Sequence, residues 1–224
     1  HVHFDLSLHT FAFGGCAAHI PENERMWDTI ASFKPWAMLM LGDNVYIDLA
    51  EEAGPFMCAG VTVYNALRHA GARAGEVVAV HGIGGLGHLG VEYARQMGFE
   101  TVAITRGHDK ASLARQLGAH HYIDAIAQDA VTALQTLGGA RVILATAPSA
   151  PAISALIDGL SPSGTRLVPA APAEPLTISV LSLISGRRSV AGWYAGTARD
   201  AQETLAFSVL SAVHPMIEPY PLGR

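Results

Sequence analysis

The run Val77-Val78-Ala79-Val80 leading into Gly82-Ile83-Gly84-Gly85-Leu86-Gly87 constrains the fold more than any other stretch, because an apolar strand, spaced glycines and a helix follow in immediate succession. The spacing is G-x-G-x-x-G, and each glycine has its own task. Gly82 permits a tight turn, Gly84 lets the backbone approach a pyrophosphate, and Gly87 lets helix and strand pack closely. The helix that follows begins with N–H groups that have no intrahelical partner, and together with its dipole they face an anion. Gly82, Gly84, Gly85, Leu86 and Gly87 are therefore the expected contacts of a nicotinamide dinucleotide.

From about residue 50 onward, apolar strand-like runs alternate with helical segments, which is the pattern of βαβ units and a parallel sheet. Strands are expected near Val77–Val80, Thr101–Thr105, His121–Asp124, Arg141–Ala145, Thr165–Pro169 and Ser189–Trp193. Helices are expected near Thr62–His69, Leu86–Met97, Lys110–Leu117, Asp129–Leu137, Pro151–Gly159 and Ala201–Val213. The fold class is α/β, a doubly wound (Rossmann) parallel sheet in the strand order 3-2-1-4-5-6, with ligand beyond the carboxyl ends of the strands. Residues 1–49 read as an appended βαβ segment: strand Leu8–Phe13, helix Glu24–Phe33, strand Ala37–Leu41. The boundary falls at residues 49–50, and residues 50–224 form the dinucleotide-binding domain.

The choice of cofactor turns on the end of the second strand. An NAD site usually places a carboxylate there to bond the ribose 2'-hydroxyl. This chain has Ile104-Thr105-Arg106-Gly107-His108-Asp109-Lys110 instead. Thr105 and Arg106 offer a hydroxyl and a bidentate guanidinium suited to a 2'-phosphate, and Lys110 adds a second cation. NADP is favoured, with NAD possible; the alternative is that Arg106 and Lys110 are ordinary solvated charges.

Composition excludes other classes of partner. Lys and Arg number 14 against 19 Asp and Glu, a net charge of -5 that gives no electrostatic footing for nucleic acid. No apolar run approaches the roughly 20 residues of a bilayer span. Two cysteines, Cys16 and Cys58, are too few for a disulfide framework, so a reducing cytoplasm is expected. The opening His1-Val2-His3-Phe4-Asp5 has neither initiator Met nor signal-peptide pattern, which suggests a longer reading frame.

Residues 50–224 resemble the zinc-dependent medium-chain alcohol dehydrogenases. The likeness lies in Cys58-Ala59-Gly60-Val61-Thr62-Val63-Tyr64-Asn65-Ala66-Leu67, the glycine turn through His88, Ala119-His120-His121-Tyr122-Ile123-Asp124, Leu144-Ala145-Thr146-Ala147 and Gly196-Thr197-Ala198-Arg199-Asp200. The resemblance implies a nicotinamide stacked near Ala145, Thr146 and Ala147, with Arg199 close to the phosphates. It also implies that Cys58 occupies the position of one catalytic zinc ligand, whereas nothing here resembles the family's preceding catalytic domain. A catalytic zinc needs three protein ligands, so zinc is doubtful and alcohol or aldehyde oxidoreductase activity is at most weak. The alternative for Cys58 is a buried small hydrophobe. The family's last cofactor-domain strand pairs across a two-fold axis, which implies a homodimer through Ser189 to Trp193.

The segment Phe11-Ala12-Phe13-Gly14-Gly15-Cys16-Ala17-Ala18-His19, with Leu41-Gly42-Asp43-Asn44-Val45-Tyr46-Ile47-Asp48, resembles the metallophosphoesterases that include alkaline phosphatase D. That likeness implies metal ligation by Cys16, Asp43 and Tyr46, and a metal-dependent phosphoesterase using them with His19 is the alternative function. A zinc site joining Cys16 and His19 to Cys58 is a further alternative, as is a non-catalytic dimeric Rossmann protein. The chain is expected to join fragments of two enzyme families.

Overall fold

The computed structural model describes residues 11–15 and 37–41, as backbone strands, and residues 54–218. Strands β1 (Phe11–Gly15) and β2 (Ala37–Leu41) pair in parallel in a two-stranded sheet of their own. Parallel pairing needs a crossover connection; the helix expected at Glu24–Phe33 lies outside the described residues. β1 runs in register with β2 from Phe11 opposite Ala37, and residues 8–10 of the expected strand lie outside the described residues.

A π-helical turn, Phe56–Gly60, runs into α1 (Val61–His69) and opens the larger unit. There follow β3 (Val77–His81), α2 (Gly85–Gln96), β4 (Glu100–Thr105), α3 (Ala111–Gln116), β5 (His121–Asp124), α4 (Ala130–Thr136) and β6 (Ala140–Ala145). The chain continues through α5 (Ala150–Ala155), a 3-10 turn at Leu156–Gly159, β7 (Leu160–Val168), α6 (Val180–Gly186), β8 (Ser189–Gly192) and α7 (Ala198–Ser211). The six strands β3–β8 form one parallel sheet in the order β5-β4-β3-β6-β7-β8. Counted from β3, that is 3-2-1-4-5-6, the expected doubly wound arrangement.

Helices cover both faces of this sheet, which is why β3 is buried along its whole length and reads as an uninterrupted apolar run. Alternate residues serve two cores. Val78, Val80, Val142 and Leu144 pack with Leu67, Leu89 and Tyr93 from α1 and α2. Ala79, Ile104, Ile123 and Ile143 pack with Ala130 and Leu134 of α4 on the other side. Each fully buried leucine or isoleucine contributes about 1.5–3 kcal/mol relative to exposure. Gly90 brings α2 onto the sheet, since a Cβ there would already lie 3.1 Å from Leu144 Cδ2. On the outer side of α2, the rings of Tyr64, Tyr93 and Phe207 lock α1, α2 and α7 together at centroid separations of 5.1–6.0 Å.

Several boundaries differ from expectation for local reasons. β7 starts at Leu160, five residues before the expected Thr165, because Leu160 pairs with Ala140 ahead of a bulge. Ser163 takes a left-handed conformation within that bulge, φ 59°. The helix expected over Pro151–Gly159 tightens to a 3-10 turn in its second half. α7 begins three residues earlier than expected, at a capping box in which Thr197 and Asp200 satisfy each other's backbone N–H groups. α6 lies in a stretch with no expected element, and none of its residues is buried.

Candidate cofactor site

The carboxyl end of β3 turns into α2 through Gly82, whose φ of +96° is costly for any side chain. A Cβ at Gly82 would also stand 2.8 Å from Ala147 Cβ. Gly87 is tighter still, because a Cβ there would lie 1.8 Å from the Gly82 carbonyl oxygen. Around Gly84 and Gly85, by contrast, an added Cβ meets nothing within 4 Å. No side chain caps the start of α2, so the leading N–H groups are left for an outside acceptor. The packed glycines thus hold the turn, and the open ones leave free space in front of the helix start.

Ala145, Thr146 and Ala147, at the end of β6, are bound directly to this turn. The backbone N–H groups of Thr146 and Ala147 donate to the His81 carbonyl at 3.0 and 3.1 Å. Thr146 Oγ1 shares its proton between the carbonyls of His81 (3.0 Å) and Gly82 (2.7 Å). The β4 end joins the same assembly, because Gly82 N–H donates to Ile104 O at 2.8 Å. Lys110 Nζ reaches across to donate to the Ile83 carbonyl.

The loop after β4 is shaped by β5. Thr105 is buried, and its hydroxyl meets that of Tyr122, which donates to Gly107 O at 2.5 Å. Gly107, at φ +81°, donates its N–H to Asp124 Oδ1 at 2.8 Å. Hydrogen bonds from the backbone of Ile126 and Gly107 hold the Asp124 carboxyl below its ordinary pKa, so it remains an acceptor. Arg106 and His108 are left exposed on either side of Gly107. Tyr122 and Asp124 are site-shaping residues that sequence reasoning missed; their signal is two polar residues at i, i+2 where a strand meets the sheet's carboxyl edge.

This geometry coincides with a match to known proteins. The family described as zinc-binding dehydrogenase matches residues 85–210, more than half of the chain. The chain belongs to the zinc-binding dehydrogenase family. Alcohol dehydrogenase patD of Penicillium expansum is 41% identical over 175 residues, which cover 78% of this chain and 51% of that protein. A probable formaldehyde dehydrogenase, AdhA, of Bacillus subtilis is 38% identical over 181 residues, covering 81% and 50%. Among solved structures, a cinnamyl alcohol dehydrogenase from Sorghum bicolor superposes with a TM-score of 0.70 at 30% identity, covering 78% of this chain and 50% of that one. The Helicobacter pylori protein described as CAD complexed with NADP(H) superposes at 0.68 with 27% identity, covering 78% and 50%. The chain spans about half the length of these relatives. These findings lend no support to the phosphoesterase resemblance, and Cys16, His19, Asp43 and Tyr46 lie outside the described residues.

The zinc that names the family is not matched by a ligand set among the described residues. Cys58 sits in the π-helical turn and is exposed, contrary to the buried small hydrophobe considered from sequence. Among the described residues, no group of three or more His, Cys, Asp and Glu side chains is arranged to hold a metal ion. A single thiolate falls short of the three protein ligands a catalytic zinc requires. Arg199 lies in the first turn of α7, largely exposed, and donates from Nε to Glu203 at 2.9 Å. No helix among the described residues is long and apolar enough to cross a membrane.

Two histidines, His81 and His88, are buried polar partners of the glycine turn. His81 Nδ1 accepts from Arg166 Nη2 at 3.0 Å. Burial, then the adjacent Arg166 charge, lowers the His81 pKa to about 4, so its ring stays neutral. Arg166 itself is fully buried, which lowers its pKa to about 9, and its Nε and Nη1 have no hydrogen-bond partner among the described residues. His88, in the first turn of α2, bonds to the Gly84 carbonyl.

Proposed function

We propose that this chain is the nicotinamide-dinucleotide-binding half of an alcohol or aldehyde oxidoreductase, and that it prefers NADP(H) to NAD(H). The observation that carries the reading is the uncapped start of α2 beside open space at Gly84 and Gly85. Gly84, Gly85 and Leu86 then present backbone N–H groups to the pyrophosphate, while Gly82 and Gly87 keep the turn closed. Arg106 supplies the charge for a 2'-phosphate, and Ala145, Thr146 and Ala147 lie where the nicotinamide stacks. Lys110 supports the turn through Ile83. Arg199 joins the phosphates by exchanging Glu203 for them. When bound, the cofactor accepts or donates hydride at the nicotinamide ring.

Relatives bearing alcohol and formaldehyde dehydrogenase names, and a neighbour described as complexed with NADP(H), support this reading. Cys58 is one ligand position of the three a catalytic zinc requires, and no group of metal ligands stands among the described residues, which supports weak turnover, at most, by those residues. Calorimetric titration is the test. NADPH is expected to bind at least about tenfold more tightly than NADH, a difference of about 1.4 kcal/mol. Absence of binding by either would overturn the reading, and equal affinities would overturn the preference.

We also propose a homodimer through residues Ser189 to Trp193. β8 is the outer strand of its sheet, and exposed Val180, Leu181 and Ile184 of α6 adjoin it in the chain. An open edge beside exposed apolar side chains favours isologous pairing with a second copy.

A further inference from the structure

One buried side chain connects the glycine turn to a segment with no assigned part in cofactor binding. The Gly84 carbonyl receives two bonds from His88, one from its backbone N–H and one from ring Nδ1, both at 3.0 Å. A carbonyl oxygen can only accept, so Nδ1 carries the ring proton. Nε2 is the ring's acceptor, because Met216 N–H donates to it at 3.1 Å. One turn further along α2, Glu92 Oε2 accepts from His214 N–H at 3.1 Å. Val213 is buried and closes onto Ser208 O at 3.0 Å. Segment 213–216 is therefore held against α2 by two acceptors spaced i, i+4, and only His88 also touches the turn.

Gly84 C=O belongs to the same planar peptide unit as Gly85 N–H, and in a trans peptide the two groups point in opposite directions. Fixing the carbonyl towards His88 therefore aims the Gly85 N–H away from it, out of the helix start. We infer that His88 is a positioning residue for cofactor binding, which ties the direction of the Gly85 N–H to the docking of segment 213–216. The inference rests on the cofactor reading above. Coupling of this kind is reciprocal: a pyrophosphate that orders the peptide tightens the segment, and the docked segment favours the pyrophosphate.

Two substitutions separate the arms of the ring. Asn at 88 can place an amide near Nδ1 but cannot reach Met216, whereas Gln can place an acceptor near Nε2 but withdraws the donor from Gly84. Hydrogen exchange at the Met216 amide, followed by NMR with and without NADPH, reads the link directly. In the unaltered chain NADPH is expected to slow that exchange about fivefold or more, the lower range of such couplings. His88→Asn gives fast exchange with or without NADPH. His88→Gln gives slow exchange that NADPH no longer changes, and in both variants NADPH affinity falls about fivefold. Glu92→Ala is the control for a merely structural role, loosening His214 while leaving NADPH slowing at Met216. Protection of the β3 amides confirms that each variant is folded. NADPH binding without slowing in the unaltered chain, or slowing that survives in both His88 variants, overturns the inference and leaves the cofactor reading standing. No NADPH binding at all removes both.

Discussion

At Gly84 and Gly87 the same added methyl group has opposite consequences. The Gly87 Cβ would overlap the Gly82 carbonyl, whereas the Gly84 Cβ would enter open space. Gly87→Ala is expected to destabilise the fold by more than about 3 kcal/mol, seen as a loss or large downward shift of the thermal transition. Gly84→Ala should keep its melting temperature within about 2 °C. It should nevertheless weaken NADPH about tenfold or more in titration, because the methyl occupies the pyrophosphate's approach. Arg166 and His81 test a different property, the cost of a buried charge. Because the folded state lowers the Arg166 pKa to about 9 from 12.5, the unfolded chain holds the proton more tightly between those values. Stability should accordingly rise with pH across that window, and Arg166→Met should stabilise the protein by about 1–4 kcal/mol at neutral pH, with a smaller gain above pH 9. Urea unfolding at pH 7 and pH 10 measures both. His81 acts at the acid end. With its pKa lowered from 6.5 to about 4, stability present above pH 6.5 is lost as pH falls towards 4, and His81→Gln should flatten that limb. Arg166 gave no sign of this role in the sequence, since a single arginine in a strand looks the same whether its face is covered or solvated.

The loop between β4 and α3 places its two cations differently. Arg106 is exposed, while the Lys110 ammonium is bonded to the glycine turn at Ile83. Arg106→Ala should reduce NADPH affinity about tenfold and leave NADH nearly unchanged, whereas Lys110→Ala should weaken both cofactors alike. Parallel titrations decide, and equal losses of NADPH and NADH in Arg106→Ala would remove Arg106 from the 2'-phosphate site. The Lys110 bond spans 27 residues and was invisible to a reading that could place it only beside Arg106. Thr105 was legible by position, but not its internal bond to Tyr122, for the same non-local reason. The strands β3, β4, β5 and β6 were readable because a sheet covered on both faces demands continuous apolar runs. α6 was not, since a helix that buries none of its residues leaves no amphipathic period in its sequence. The start of β7 was hidden by its bulge, where Ser161, Pro162 and Ser163 look like a turn.

Across the whole molecule, the sheet has two unequal edges. β5 lies at one and β8 at the other, the latter next in the chain after exposed Leu181 and Ile184. Replacing both by Asp should convert a dimer into a monomer in sedimentation, with the thermal transition of the monomer retained; an unaltered chain that is monomeric at every concentration would rule out the pairing. The order of strands across the sheet also departs from their order in the chain, and the Thr146 bonds show where this matters. Thr146 closes on His81 and Gly82 from 65 and 64 residues downstream. At about 5–20 residues per second, a ribosome takes roughly 3–13 seconds to make that stretch. During that interval the glycine turn exists without the side chain that secures it, and β3 waits with one flank unpaired. Synthesis thus delivers the glycine turn and its fastening in two instalments, and the part that arrives those seconds later decides when the first becomes usable.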